Sequence, residues 1–520
     1  MRTASPEVAD RLSPENHGDN GGELQRRETP GLSRRDLLGL WRGHRGPSVA
    51  IAAASGSAGL VGARARASEV SADVDPGALV TKLVRRLTMG LTPAELTLAY
   101  QLGYDGYLEY HLNHTAIDDS ALQPRLAPLA TLGLTYSQLV NYPASQVINE
   151  LIEAAIVRAV YSRRQFYERM VEFWTDHFNI DINNNNNRYS KTVDDREVIR
   201  PNALGSFPAL LSASAHSPAM LYYLDNQVSI AGNPNENYAR ELLELHTLGV
   251  DGGYTQDDVE AVARCFTGWG INNVQGAFLG TFLYSNNRHD QGQKTVLGNI
   301  IPENGGMQDG LTVLSILADH PNTARFVSKK LCRWLLGENT PTSIVTDVAA
   351  TYTATAGDIK AMIRTALRPN NLSDAAPRYK RPFHHFVSVL RTCNANITST
   401  TRVRNDLSNA GHRPFTWPTP DGYPDSTSHW IGLITPRWNF AANAPDARLT
   451  GVSVDVPAFF SGATTAAQMA ERLNQSVFAG EMDPFDKQRI TDFLLPDPPS
   501  SQRQREAIGL AMSSPDFQWY

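Results

Sequence analysis

The sequence predicts an all-α, predominantly helical protein with a small β-hairpin insertion near residues 277–301 and a long ordered loop near residues 411–446. Apolar residues recur at helical spacing over residues 146–161 and 163–178, which is typical of helices with one buried face. Residues 92–95, Thr-Pro-Ala-Glu, form a capping box with proline at the first helical position. Strand signals are few and short, so helices are expected to supply the core.

Further helix starts and breaks recur along the chain. Residues 205–225 are predicted to form two short helices broken at Ser217-Pro218. Residues 233–236, Asn-Pro-Asn-Glu, are predicted to cap a helix with Asn233 as the first residue of the cap, and residues 255–258, Thr-Gln-Asp-Asp, form a similar acidic cap. The other predicted helices cover residues 310–318, 323–336, 358–367, 382–390, 465–473 and 501–512.

The predicted hairpin pairs residues 277–284, which alternate partly and are rich in Phe and Leu, with the β-branched residues 295–301. The stretch 411–446 is rich in Pro, Trp, Asp and Gly and shows no period. It is therefore predicted to be an ordered loop of the kind that often carries function. The five asparagines at 183–187 predict a flexible loop.

Composition excludes several classes of protein. The chain has 520 residues, of which 41% are hydrophobic and 19% charged, as is typical of globular proteins. Its formal net charge is −6 and it has no basic stripe, so nucleic acid is not expected as a partner. Cys265, Cys332 and Cys393 lie far apart without a metal-binding spacing and are predicted to be small buried side chains.

Residues 1–67 are predicted to be a disordered N-terminus and a signal peptide that resembles a twin-arginine export signal. Arg34-Arg35 precedes Leu37-Leu38, residues 48–61 are small and weakly apolar, and residues 63–67 offer Ala-x-Ala cleavage sites. The alternative is a disordered basic tail. The signal predicts a periplasmic or secreted location. No other apolar run reaches the roughly 18 residues that span a bilayer, so the mature chain is expected to be soluble, without a transmembrane segment.

One candidate site lies in the helix predicted after residue 233. Each residue of an α-helix turns the chain by about 100°, and on this basis one polar face comprises Asn237, Arg240, Glu241, Glu244 and Thr247. His246 falls on the opposite, apolar face beside Leu245, so the glutamates and the histidine cannot hold one ion. The polar face is either a solvated surface with an Arg240–Glu244 pair or a packed face that forms a site.

A second candidate residue lies in the helix predicted over residues 163–178. The apolar stripe of this helix comprises Tyr167, Met170, Val171, Trp174 and Phe178, with His177 at its edge. The residues predicted to face away from the core are Glu168, Arg169, Glu172 and Asp176. His177 and His246 are therefore predicted to point inward from different helices.

The two inward histidines raise the hypothesis of a bound divalent metal ion with His177 and His246 as ligands. A catalytic metal needs a third protein ligand, and sequence spacing does not choose one. The candidates are His289, Asp290, His320, His384, His385, Asp421 and a glutamate. The alternative is that both histidines are hydrogen-bonded core residues.

Several of these stretches resemble the bacterial family known as domain of unknown function 1800. The matching segments are residues 83–93, 170–179, 196–201, 217–226, 235–269, 289–290, 294–298, 331–336, 417–424 and 510–518. The match is densest over residues 217–226 and 235–269. Because the resemblance covers nearly all of residues 75–520, this region is interpreted as a single large helical domain.

The resemblance implies an exported, mainly α-helical bacterial protein, and it implies no reaction. It also implies a partner, since proteins of this kind often look paired with a second exported protein of a sulfatase-like family. The family pattern includes the polar face and His246 together, which favours a packed face over a merely solvated one. Asp176 departs from the pattern, which usually has Asn or a similar residue there.

The first functional hypothesis is a hydrolase-like enzyme that acts on an extracellular polymer or ester. Its catalytic residues would be Glu241, Glu244, Arg240 and His177, with the two glutamates as acid and base. Its substrate-binding residues would be Asn237, Trp174, Asp421, Tyr423 and Trp417. No GxSxG, P-loop or GxGxxG motif is present, which excludes the common serine nucleophiles and the nucleotide enzymes.

The second hypothesis is a non-catalytic binding or assembly module that partners another exported protein. In that case the Arg240 and glutamate network is a structural brace, since ion networks of this kind often fix geometry without chemistry.

Overall fold

Helices form most of the part of the chain that the computed structural model describes, which comprises residues 76–184 and 186–520. The first helices are α1 (Pro76–Leu87), α2 (Pro93–Leu112), α3 (Gln123–Leu126), α4 (Tyr136–Leu139), α5 (Ala144–Tyr161), α6 (Gln165–His177), α7 (Asn187–Asp194), α8 (Arg200–Asn202), α9 (Phe207–Ala215), α10 (Pro218–Tyr223), α11 (Glu236–Glu241) and α12 (Gln256–Cys265). The predicted tail and signal peptide, residues 1–67, lie outside the described residues.

The second half continues in the same way. Its helices are α13 (Met307–Asp319), α14 (Pro321–Leu336), α15 (Thr342–Ala354), α16 (Ile359–Ala366), α17 (Pro369–Ser373), α18 (Pro382–Thr392), α19 (Thr401–Asn409), α20 (Thr427–Trp430), α21 (Ile434–Asn443), α22 (Val456–Phe459), α23 (Ala466–Phe478), α24 (Pro484–Leu494) and α25 (Ser501–Ser513). Two π-helical turns cover Asp195–Ile199 and Leu242–Thr247. The predicted helical class is confirmed.

The strands are β1 (Trp269–Ile271), β2 (Phe282–Tyr284), β3 (Lys294–Val296), β4 (Asn299–Ile301), β5 (Asn396–Ile397) and β6 (Val452–Ser453). They form separate antiparallel pairs, β1–β2, β3–β4 and β5–β6. The predicted pairing of residues 277–284 with 295–301 is therefore wrong. Leu297 and Gly298 both have positive φ, 50° and 77°, and close a tight hairpin inside the second segment.

The helix caps follow from short polar side chains. The Thr92 hydroxyl accepts a hydrogen bond from the backbone N–H of Glu95, and Thr255 and Asp258 form a reciprocal capping box. The cap of α11 is Asn235 and not Asn233, as its side chain accepts from the N–H of Asn237 at 2.8 Å. Asn233 instead forms a bridge with Ile230 in the preceding turn.

The segment 411–446 is only partly the loop that its composition predicts. Residues 411–426 lack a helix or strand, but α20 and α21 occupy most of the remainder. The predicted asparagine loop also ends earlier, since Asn187 begins α7 and is buried. The proline and aromatic content of residues 411–446 predicted a loop throughout, whereas the second part of this segment forms the two short helices α20 and α21.

Two large apolar clusters surround these elements. The first contains Trp174 and Phe178 of the α6 region, and the second contains Ile182, only a few residues later. The end of α6 thus lies where the chain passes from one cluster to the other. A smaller aromatic cluster joins Tyr423 of the 411–426 segment to Tyr379 and Trp430.

The three cysteines are buried and free, as their spacing predicts. Within residues 76–184 and 186–520, every helix is too short or too polar to cross a membrane.

Candidate functional site

His177 and His246 lie together at the end of α6. Both are buried, and their ring centroids are 6.2 Å apart. The Nε2 atom of His177 is 3.1 Å from the backbone carbonyl oxygen of His246, so it donates a hydrogen bond that ties α6 to the π-turn. Burial, assisted by the positive charge of Lys330, lowers the pKa of His246 to about 3 and that of His177 well below its usual range. Both rings are therefore neutral near pH 7.

His177 and His246 both point inward, as predicted, and no third side chain joins them as a metal ligand among the described residues. Nδ1 of His177 and Nε2 of His246 have no hydrogen-bond partner in the described part of the chain. No group of three or more His, Cys, Asp or Glu side chains is placed to hold a metal ion within those same residues. The candidate ligand His289 instead contacts Asp309 at 3.0 Å, deep in another part of the core.

The π-turn Leu242–Thr247 changes the arrangement predicted from a regular helical wheel. A π-helix bonds i to i+5, so each residue after Leu242 is displaced around the axis. Thr247 was expected on the polar face but is buried, and its hydroxyl donates to the carbonyl of Leu242 at 2.6 Å. Leu245 was expected on the apolar face but is partly exposed.

The polar face of α11 is largely at the surface. Arg240 is 40% exposed and bridges Glu236 at 3.1 Å and Glu244 at 3.6 Å. It also donates to the side-chain oxygen of Gln256 at 3.0 Å, which links α11 to α12. Asn237 is exposed. The predicted Arg240–Glu244 pair is present, within a surface network that braces two helices.

Glu241 differs from its charged neighbours. It is partly buried and forms no hydrogen bond or ion pair among the described residues. Burial raises the pKa of Glu241, the Glu244 and Asp421 carboxylates raise it further, and only Arg240 acts in the opposite direction. A carboxyl group in this environment is able to hold a proton at a higher pH than an ordinary glutamate.

Asp421 lies on the 411–426 segment, close enough to influence Glu241. Its Oδ1 atom accepts hydrogen bonds from the Trp417 indole at 3.1 Å and from the Thr419 hydroxyl at 2.5 Å. Oδ2 has no partner among the described residues, and Asp421 is exposed. The carboxylate is therefore held in one orientation with an oxygen left available.

The chain around Asp421 is fastened to the ends of α6 and α10. The Asn179 amide donates to the carbonyls of Trp417 at 2.9 Å and Thr419 at 2.7 Å. The Tyr223 hydroxyl donates to the carbonyl of Pro418 at 2.8 Å. These bonds explain why a segment without regular structure holds its side chains in place.

Lys330 of α14 is a residue that sequence reasoning missed. It is partly buried and forms no hydrogen bond or ion pair in the described part of the chain, although its ammonium lies 5.6 Å from the centre of the Phe326 ring. Burial lowers the pKa of Lys330 to about 8, against the opposing effect of nearby Asp421 and of two other aspartates, Asp176 and Asp425. The only sequence signal is its position one turn after Phe326.

Two aromatic residues expected to bind substrate lie in the interior. Trp174 is fully buried and its indole donates to the carbonyl of Ala203 at 3.0 Å. Tyr423 is 7% exposed and its hydroxyl donates to the carbonyl of Arg413 at 2.6 Å. Neither side chain has the free surface that a substrate contact needs, so both are structural. Trp417 is partly exposed and stays a candidate.

A helical wheel of α6 predicts that its charged residues face away from the core, but the structure buries them fully or in part. Glu168 is buried and contacts Arg200 at 3.0 Å. Arg381 lies between Glu172 and Asp176, with a 2.6 Å contact to the latter. Arginines from other segments thus cover the polar face of α6, which a wheel of α6 alone cannot show.

We call Glu241, Asp421, Trp417 and Lys330 the Glu241–Asp421 site. It combines a carboxyl group with a raised pKa, an oriented carboxylate, an aromatic face and a cation. Residues 82–519 match the family described as "Protein of unknown function (DUF1800)". No curated protein and no solved structure matches the chain. Since the matched segment includes most of the chain, the protein belongs to the DUF1800 family.

Proposed function

We propose that this protein is a hydrolase that cleaves a polysaccharide by general acid–base catalysis at the Glu241–Asp421 site. Glu241 is the acid and Asp421 is the base. The observation that carries the proposal is the raised pKa of Glu241 beside the oriented carboxylate of Asp421. Paired carboxyl groups in unlike environments are the usual catalytic arrangement of glycoside hydrolases.

The acid role suits Glu241 better than Glu244. Glu244 already contacts Arg240 at 3.6 Å on the surface face, whereas Glu241 has no bonded partner among the described residues. A protonated Glu241 gives its proton to the leaving oxygen as the glycosidic bond breaks. General acid catalysis of this kind contributes roughly 10²- to 10⁴-fold to a rate.

The base role suits Asp421 because one oxygen is fixed and the other is free. As a water oxygen attacks the anomeric carbon, Oδ2 of Asp421 takes the proton that the water releases. The Trp417 indole and Thr419 hydroxyl hold the carboxylate still during this transfer. The partly exposed Trp417 ring supplies a face on which a sugar ring stacks.

His177, Lys330 and Arg240 have supporting roles in this proposal. His177 is a positioning residue, since its bond to the His246 carbonyl holds the π-turn that follows Glu241. Lys330 places a positive charge near Asp421 and so favours substrates with acidic groups, such as uronic acid polymers. Arg240 braces α11 against α12.

The second candidate function is binding of the same polymer without cleavage. The exposed network of Arg240, Glu236 and Gln256 favours it, because this network is a brace and not a reaction centre. The Trp417 face and the nearby charges would then bind the polymer chain, alone or together with a partner protein.

The test is the release of reducing ends from a panel of neutral and uronic acid polysaccharides. The wild type is compared with Glu241→Gln, Asp421→Asn and the matched control Glu236→Gln, which removes a 40% exposed glutamate of the same helix that is paired with Arg240. We expect a loss of about 10²-fold or more in the first two variants and little change in the control. Polymer binding without cleavage by the wild type would instead support the second function.

A further inference from the structure

A cluster of buried cations includes Arg169 of α6 and shares no residue with the Glu241–Asp421 site. Arg86, Arg169, Lys380 and Arg437 are each less than 9% exposed, and none forms an ion pair within the described residues. Their neighbours Arg378 and Arg381, by comparison, contact carboxylates. Buried charges without a counter-ion are strongly unfavourable, so this region has an excess of positive charge that calls for an anion.

Several of these cations have donor atoms with no acceptor. Nε and Nη1 of Arg86, Nε of Arg169, and Nε and Nη2 of Arg437 are buried without a hydrogen-bond partner among the described residues. The Arg169 guanidinium does donate to the Tyr520 hydroxyl at 2.9 Å. Burial raises the pKa of Tyr520, but the positive charges of Arg169, Arg378 and Arg86, together with the Arg169 hydrogen bond, lower it overall.

A cavity of about 450 Å³ opens beside this cluster. The charged and titratable side chains that line it are Lys82, Arg85, Lys380, His384, Glu481, Asp516 and Tyr520. Arg85 is paired with Glu481, and Lys82 donates to two backbone carbonyls at 2.8 and 2.6 Å. Lys380 and Asp516 form no ion pair within the described residues. Lys380 is 6% exposed, and its ammonium lies 3.7 Å from the centre of the Phe517 ring and near the positive charges of Arg85 and Arg437.

Part of the cavity wall is apolar. This part includes Leu91, Val477, Phe478, Phe517 and Trp519, and the hydroxyl-bearing Thr88 and Ser388 also line the cavity. A volume of this size is within the range of pockets that enclose small organic ligands. An unpaired lysine beside apolar side chains matches a ligand with a single anionic head and an apolar body.

We propose that this cavity binds a small amphipathic carboxylate, with its head on Lys380 and its tail against Phe478, Phe517 and Trp519. The head supplies the charge partner and acceptor that Lys380 lacks. The tail removes apolar surface from water at the cavity wall. The site is separate from the Glu241–Asp421 site and does not depend on its function.

The test is calorimetric titration of the full chain with octanoate, with 1-octanol and inorganic phosphate as probes for the tail and the head alone. We expect octanoate to bind at one site, at least tenfold more tightly than either probe. Lys380→Met should weaken octanoate at least tenfold. The matched control is Lys360→Met, which removes an unpaired lysine from the wall of a different cavity and should leave the affinity unchanged.

Thermal unfolding of each variant separates loss of binding from loss of fold. Methionine keeps the length of the lysine stem without its buried charge, so Lys380→Met is expected to be at least as stable as the wild type. Three outcomes would overturn the proposal: no binding of octanoate by the wild type, equal affinity in Lys380→Met, or equally tight binding of 1-octanol.

Discussion

A β-carbon on Gly422 would lie 2.1 Å from the backbone carbonyl oxygen of Asp176, so these two residues fix the distance between the 411–426 segment and α6. Gly422 also has a φ of 76°, which other residues adopt at a cost. The contact brings Asp421 against the end of α6. Only glycine satisfies both the close approach and the backbone conformation at this position.

Gly422→Ala is therefore expected to lower the free energy of unfolding by about 1–3 kcal/mol and to displace the 411–426 segment. Urea unfolding measures the first effect, and protease sensitivity of the 411–426 segment measures the second. Gly432→Ala is the control, because a β-carbon there meets nothing within 4 Å. Equal stability of both variants would contradict the close contact.

Lys330 gives the protein a specific pH dependence. Its pKa of about 8 is lower than the roughly 10.4 of an unfolded lysine, so between these values the unfolded chain binds more protons than the native one. The free energy of unfolding contributed by this residue therefore rises with pH from about 8 to about 10.4. Urea unfolding of the wild type and Lys330→Met across this range should show a steeper rise in the wild type than in the variant.

The control for that measurement is Lys329→Met, which changes the exposed lysine next to it on α14. This variant should keep the wild-type pH slope. If Lys330→Met also kept it, the ammonium of Lys330 would not be desolvated in the native protein.

Trp174 and Trp417 are expected to respond differently to the same substitution. Trp174→Phe leaves a space in the core and an unsatisfied carbonyl at Ala203, for a loss of about 2–4 kcal/mol in unfolding free energy. Trp417→Phe removes one hydrogen bond to Asp421, worth about 1 kcal/mol. Only Trp417→Phe should weaken polysaccharide binding in the folded protein. A polymer affinity that falls only in Trp174→Phe would contradict the assignment of Trp417.

Helical periodicity in the sequence predicts those helices that bury one face and expose the other. Residues 146–161 were predicted almost to the ends of α5, and the inward position of His177 and His246 followed from their faces. The π-turn after Glu241 was not predictable, because a helical wheel assumes a constant 100° per residue. Its effect is visible in Thr247, which is buried on what a regular helix would make the polar side.

Other features depend on contacts between distant segments. Glu172 and Asp176 read as solvated because their partner, Arg381, is more than 200 residues away in the sequence. Lys330 is similar, since only folding brings it close to Asp421. The predicted strand pairing was wrong for a related reason. Strand β2 pairs with β1, and the three residues of β1 are too few to show a strand pattern in the sequence.

Arg381 provides the last prediction, since it lies between Glu172 and Asp176 with its side chain 5% exposed. Arg381→Met leaves two partly buried carboxylates without their shared partner, which should cost about 3–5 kcal/mol of unfolding free energy near pH 7.5. Burial already raises the pKa of Asp176 to about 6, and Arg381 lowers it. Loss of the arginine raises it further, so the native variant binds a proton more readily than the unfolded chain as the pH falls.

The unfolding free energy that Arg381→Met loses relative to the wild type should therefore become smaller as the pH falls from 7.5 to 5. Urea unfolding at both pH values measures it. Arg368→Met is the matched control, because Arg368 and its partner Asp347 are both 58% exposed. That variant should change the unfolding free energy by about 1 kcal/mol or less at either pH. If the loss of unfolding free energy in Arg381→Met were the same at both pH values, the two carboxylates would have become exposed to water on removal of the arginine.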